Sequence, residues 1–272
     1  MIEKSLLELV RPSIEASLGY ELPDSADAKP RLGVAPPGEY SNPFFAVRID
    51  QVVAAAARSE WVEQLQPIFD ELHPDLLFSL FGAYELSRVT LADGVYVWGP
   101  VPAYAADEST WRPVNDDRTV QLSESQVSDV DFELFWHCTG GDRDVQAHFG
   151  IYEDGRLVGL SSVADQGHNI YDIGIDTLQV LQGRGIGSAV VSAAGNWILE
   201  QGGIPFATAA PWNAPSTRTL RKLGMRYVYS KMIGQPGPFM APPQPFGQAV
   251  PGQPIYNFYP SWAMNKEIQE KP

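Results

Sequence analysis

The chain has 272 residues, 44% of them hydrophobic and 19% charged, and a net charge of −14. That length holds one large domain or two modest ones, and the composition is that of a globular chain and not a disordered one. The negative field disfavours nucleic acid as a partner; it suits a cationic amine substrate, although solubility alone is a sufficient reason for acidity.

Cys138 is the single cysteine, so no intrachain disulfide is available, and His73, His137, His148 and His168 are too scattered for a zinc site. No metal is expected. The amino terminus carries Glu3, Glu8 and Glu15 among its apolar residues and lacks the uninterrupted apolar stretch of a signal peptide. The longest small-residue run, Val52 to Ala57, is too short to cross a bilayer. These features predict a cytoplasmic protein with no membrane association.

In chain order, residues 1–20 predict an amphipathic helix with Ile2, Leu6, Leu9, Val10, Ile14 and Leu18 near one face. The Pro/Gly/Asp-rich stretch from Leu22 to Pro43 reads as an irregular connection. Helices are predicted over Ile49–Glu71 and Pro74–Glu85, then a hairpin over Ser87–Pro100 turning at Asp93-Gly94. The polar segment 104–118 is the predicted boundary between an amino-terminal α/β domain (1–110) and a second domain (117–265).

Beyond that boundary, strands and helices alternate. A strand is predicted at Thr119–Leu122, a helix at Glu124–Cys138, and two strands, Ala147–Tyr152 and Arg156–Ala164, joined by Glu153-Asp154-Gly155. A strand at Ile170–Thr177 leads to a glycine run and a helix that stops at Gly202-Gly203. A strand at Ile204–Ala210 and a short helix at Pro215–Leu223 follow, the helix ended by Gly224. Residues 234–265 hold many prolines and aromatics and no charged residue, which predicts an ordered loop running into a last strand at Ile255–Tyr259.

The glycine run Gln182-Gly183-Arg184-Gly185-Ile186-Gly187-Ser188 lies between a strand and a helix. Glycines let the backbone turn tightly and bring its N–H groups close to a ligand. The positive helix N-terminus favours phosphate there by about 0.3–1 kcal/mol. Equally, such a turn can simply link a strand to a helix. A P-loop would need Lys-Ser/Thr after the last glycine, where this chain has Ser188-Ala189, and the G-x-G-x-G spacing is not that of a dinucleotide fold.

The order of elements resembles the GNAT superfamily of acetyltransferases. Gln182 to Gly187 match its [RQ]-x-x-G-x-[GA] motif, and Asn213, Ser216 and Leu223-Gly224-Met225 follow in the family's order. Tyr152–Gly159 is similar to its second-to-third strand turn. The resemblance, over residues 117–265, implies an α/β (α+β) fold with a mixed central sheet flanked by helices, next to an additional mixed α/β amino-terminal domain. That first domain would be a degenerate acetyltransferase-like half or a substrate cap.

By the same resemblance the activity is acetyl-CoA-dependent N-acetylation, the acetyl group passing directly to a small-molecule or peptide amine. The alternative is a weak or inactive CoA-binding or interaction module. Gln182, Gly183, Arg184, Gly185, Ile186, Gly187 and Ser188 would hold the CoA pyrophosphate. Thr177 and Leu178 would meet the pantetheine arm, one of their N–H groups serving as oxyanion donor. Asn213 would contact the cofactor or its thiol, cap the Pro215 helix, or do both. Many relatives carry a tyrosine four residues before the last glycine as acid for the thiolate; Leu220 stands there. Ser216, Tyr227, Tyr229 or a water would then act. An alkylammonium of pKa about 10.4 also needs a base. Asp172, through a water, is the first candidate beside His168 and Tyr171. The uncharged loop 234–254 would form a lid over the amine pocket or a subunit-contact arm, a homodimer being compatible with the second.

Overall fold

The computed structural model describes residues 4–23, 29–37, 42–140, 143–181, 183–211 and 213–238. Helix α1 (Lys4–Leu18) is followed by strands β1 (Arg31–Val34), β2 (Phe44–Ile49) and β3 (Val52–Ala57). Helices α2 (Ser59–Glu71), α3 (Pro74–Leu77) and α4 (Leu80–Thr90) lead to β4 (Val95–Ala105). The chain continues through β5 (Thr119–Leu122), α5 (Glu124–Ser128), α6 (Trp136–Thr139), β6 (Val145–Glu153), β7 (Arg156–Asp165) and β8 (Ile170–Thr177). It closes with α7 (Ile186–Glu200), β9 (Ile204–Thr208), α8 (Ala214–Lys222) and β10 (Arg226–Pro236). Among the described residues no helix is long and apolar enough to cross a membrane.

The described strands form one ten-stranded sheet in the order β1-β3-β2-β10-β4-β9-β8-β7-β6-β5. Its pairs are antiparallel except β1 with β3 and β8 with β9. Strand β4, from the amino-terminal part, lies between β9 and β10, so the segments on either side of residues 104–118 share a sheet. Helix α1 packs Leu6, Val10, Ile14 and Leu18 on one face, against Ala54, Ala56, Ala103 and Phe206. Helices α2 and α4 bury Trp61, Leu65 and Leu86 on the other face over β2, β3 and β10. Helices α7 and α8 cover β6 to β9 there, through Val191, Ala194 and Leu220.

Several elements depart from the sequence reading, each for a physical reason. The run Val52–Ala57, expected to be helical, is strand β3. Alanine favours helix locally, but this run is buried on both faces, Ala54 and Ala56 beneath α1 and Ala55 and Ala57 beneath α2 and α4. Small side chains let helices close on a strand from both sides. Strand β1 sits inside the expected irregular connection; at four residues it carries too little apolar pattern to be noticed. The expected hairpin at 87–100 is the end of α4 followed by β4. Buried Ser87 explains the change: its hydroxyl donates to Ala83 O at 2.6 Å and accepts from Val97 N at 2.8 Å, fastening helix to strand. The helix expected over Glu124–Cys138 is split in two, with Asp131 between the pieces accepting from Glu133 N at 3.0 Å. Strand β10 runs through Gly234 to Pro236, into the predicted loop. The remainder of that loop and the expected strand at 255–259 lie outside the described residues.

Gly195 of α7 lies against Trp111, whose Nε1–H donates to Asn196 Oδ1 at 2.8 Å and so cannot swing aside. Gly195→Ala gains about 1 kcal/mol of helix propensity but drives a Cβ into the indole ring, an overpacking that costs about 1–3 kcal/mol. Urea denaturation should show a less stable variant; a stabilised one would contradict this packing.

Candidate functional site: a gap through the sheet

Strands β8 and β9 are paired only from Ile170↔Ile204 to Asp172↔Phe206. Beyond that point β8 stays with β7 as far as Gly159↔Thr177, whereas β9 stays with β4, Ala209 N donating to Pro102 O at 3.3 Å. The sheet therefore parts between two parallel strands. Successive strand residues turn their main-chain N–H and C=O groups to opposite sides. Asn169 C=O accepts from Ile204 N on the β9 side, and Leu178 N–H donates to Val158 O on the β7 side. By that alternation Ile173 N–H makes the last ladder bond, to Phe206 O, and beyond it Ile173 C=O and the main-chain groups of Ile175 and Thr177 are directed into the gap.

A cavity of about 350 Å³ occupies this gap. Its walls come from both faces of the sheet. On the α7 face stand Gly183, Gly185, Gly187 and Ser188, with Asn213 and Ser216 of the α8 start. On the opposite face stand Asp176 and His137. Side-chain alternation along β8 accounts for the second group: Ile170 packs in the α1 cluster, and Asp172, Gly174 and Asp176 share its face.

The glycines do two different jobs. Gly183 and Gly185 have φ of 85° and 84°, and a Cβ on either would meet nothing within 4 Å. They are needed for the left-handed turn, which leaves open space on the cavity side. Gly187 is in the helix, and its Cβ would stand 3.0 Å from Ile175 Cδ1. It is there so that α7 can close on β8. Ala189 N–H makes the first bond of α7, to Gly185 O at 3.0 Å, so the amides before it lack intrahelical acceptors. The first turn carries no acidic residue.

Across the gap, Asp176 holds two donors. His137 Nδ1 lies 2.6 Å from one carboxylate oxygen, and Cys138 N–H donates to the other at 3.0 Å. The Asp176 side chain is 9% exposed and that of His137 50% exposed. Arg143 braces this corner by donating to His137 O at 2.7 Å and to Asp172 at 2.9 Å. In the sequence His137 stands only as one of four scattered histidines. The useful signal was the pairing of a helix-borne histidine with an aspartate of β8, which sequence spacing does not reveal.

Residues 111–225 match the family model described as Acetyltransferase (GNAT) family. This segment is a GNAT acetyltransferase domain. No curated protein matches the chain. Solved structures similar to it include a GNAT-family protein from Novosphingobium aromaticivorans (21% identity, 52% of this chain and 66% of that one, TM-score 0.44). Others are a GCN5-related N-acetyltransferase from Kribbella flavida (18%, 56% and 64%, TM-score 0.43) and a GNAT-family acetyltransferase from Colwellia psychrerythraea (12%, 54% and 60%, TM-score 0.41). The chain thus spans just under two thirds of the length of these relatives.

Within the GNAT domain, Thr177, Gly183, Gly185, Ile186, Gly187, Ser188, Asn213 and Ser216 of the predicted site meet at the cavity. Asn213 caps α8, its side-chain oxygen accepting from Ser216 N at 3.2 Å. Leu178 is buried with its N–H bonded to Val158, so of the two predicted oxyanion donors only Thr177 turns toward the gap. Arg184 is exposed and off the cavity wall, and Gln182 lies outside the described residues. Asp172 is tied to Arg143 and does not line the cavity. Tyr227 bonds Ser230 at 2.9 Å in a second cavity of about 320 Å³ beside Arg48 and Phe78. Tyr229 is stacked on Phe206 and buried, which raises its pKa. Tyr171 packs edge-on against Trp197, His168 sits in a positive-φ turn, and burial lowers the pKa of His148. Leu220, at the family's tyrosine position, is buried in the core beneath α7.

Cys138 is buried, its thiol donates to Leu160 O at 3.3 Å, and burial, with Asp176 nearby, pushes its pKa well up. The thiolate is the reactive form. Native protein should therefore ignore a disulfide reagent that titrates one thiol per chain after denaturation. Fast native labelling would contradict this environment.

Proposed function

We propose that this chain transfers acetyl from acetyl-CoA to an amine acceptor. The observation that carries the reading is the one opening in which the glycine turn, the N-termini of α7 and α8 and the parted edge of β8 converge. The family uses acetyl-CoA as co-substrate, and the residues here suit it. Amides of Gly183 to Ser188 provide donors for the pyrophosphate, with the α7 dipole behind them and no acidic side chain in its first turn to repel it. Lys222 supplies positive charge on the cavity wall. Ile173 C=O and the main-chain groups of Ile175 and Thr177 match the amides of a pantetheine arm as a third strand would, and the Thr177 N–H is the donor for the developing oxyanion. Asn213 and Ser216 flank the same path, so both stay in the proposed site. Tyr227 and Asp172 have no direct part in it.

Acetyl-CoA at a hundred times its Kd should add about 2.7 kcal/mol of stability, because it binds the folded state alone. A scan of melting temperature reads this directly, and absence of any shift at millimolar acetyl-CoA would sink the proposal. Gly185→Val adds a side chain to open space but imposes a left-handed backbone cost of roughly 1–2 kcal/mol on it. It should keep the fold and lose CoA binding; retained affinity would make the turn purely structural. Transfer itself is tested by release of free CoA thiol over a panel of amines. The buried Leu220 favours one competing reading, a CoA-binding module without turnover, and bound CoA with no thiol release from any amine would establish it.

A further inference from the structure

We infer that His137, held by Asp176, is the proton carrier of the site, taking a proton from the acceptor ammonium and returning one to the CoA sulfur. This rests on the proposed acetyl transfer and adds to it the group that moves protons. A carboxylate only accepts hydrogen bonds. At 2.6 Å from Asp176, Nδ1 of His137 therefore carries the ring proton, which leaves the Nε2 lone pair as the base. Both Asp176 oxygens are engaged, the second by Cys138 N, so the carboxylate is fixed and in turn fixes the ring. Asp176 is a positioning residue; His137 is the group exposed to the cavity.

Location is the second argument. The phosphate cradle opens on the α7 face of the sheet and the His137–Asp176 pair on the other, with one cavity joining them. A ligand whose phosphates sit at Gly183–Ser188 and whose arm follows β8 through the gap presents its far end on the His137 side. No tyrosine is available at the family's usual place, because Leu220 is there and is buried. Charged and titratable groups on the His137 face include Asp172 and Asp176 on β8, Arg143 just before β6, Cys138 on α6, His148 on β6, and Tyr229 and Lys231 on β10. Asp172 is held by Arg143 and Asp176 by His137 and Cys138, which leaves the His137 imidazole, among the described residues, as the base open to the cavity.

The step balances. Nε2 takes one proton from R–NH₃⁺, and the freed nitrogen lone pair forms the C–N bond at the thioester carbonyl carbon. The C–S bond breaks with its electron pair going to sulfur, and the imidazolium gives its proton to that sulfur. The second nitrogen proton leaves to solvent, so the products are the N-acetyl amine, CoA thiol and one proton.

The test uses full-length protein. His137→Ala and His137→Gln should lower kcat for thiol release at least a hundredfold, in line with general acid–base contributions of about 10²–10⁴. Their Kd for CoA should stay within about threefold, and free imidazole should restore part of the rate to His137→Ala. In ¹⁵N-labelled protein, the His137 ring should be the Nδ1-protonated tautomer, should shift when acetyl-CoA is added, and should become a tautomer mixture in Asp176→Asn. Turnover within threefold of wild type in both His137 variants would overturn the inference. Should no amine be acetylated at all, the transfer reading fails by itself and the NMR arm still decides. An Nε2-protonated ring, or one indifferent to acetyl-CoA, overturns the pair; the Nδ1-protonated ring shifting with acetyl-CoA sustains it.

Discussion

Two parallel strands that stay bonded for only three residue pairs set the shape of the candidate site. β8 follows its antiparallel partner β7 and β9 follows β4, and the two allegiances diverge beyond Asp172 and Phe206. Main-chain N–H and C=O groups inside a protein need partners. Ile173 C=O and those of Ile175 and Thr177 are turned to a side from which the neighbouring strand has withdrawn. In the proposed reading the alternating donors and acceptors of a pantetheine arm lie along them and offset the cost of leaving them unmet. A cavity lined from both faces is the direct result, and in the proposed reading it lets the glycine turn and His137, on opposite sides of the sheet, serve one ligand.

That parting depends on what holds β9 in position. Its second neighbour, β4, comes from the amino-terminal half and carries Ala103 and Ala105 beneath α1 and Tyr104 on the α7 and α8 face. β4 is itself fixed by Ser87 and Thr90 of α4, whose hydroxyls bond Val97 N and Val95 O at 2.8 Å each. The first hundred residues are thus structurally continuous with the site. They supply the strand against which one wall of the gap is built, whatever else they do.

Much of the site was legible in sequence because it is local. The glycine turn with the helix after it, and Asn213 with the helix it caps, are each built from residues adjacent in sequence, where spacing carries the information. The boundaries of β8 are matched residue for residue at Ile170–Thr177. What stayed hidden depends on contacts between distant segments. Val52–Ala57 reads as helix until α1 and α2 are laid on its two faces. Ser87–Pro100 reads as a hairpin until β4 is seen to pair with β9 and β10. His137 meets Asp176 only because α6 packs on β8, at a separation of 39 residues. Tyr227 was chosen for its hydroxyl, and the strand that carries it faces another cavity.

Backbone amide exchange with and without acetyl-CoA tests most directly whether the gap is the seat of the cofactor. The account predicts slowed exchange over Ile173–Ser188 and Asn213–Ser216, with Phe44–Ala57 unchanged. Protection confined to other segments, with the amides of Gly183–Ser188 exchanging as fast as in free protein, would contradict it.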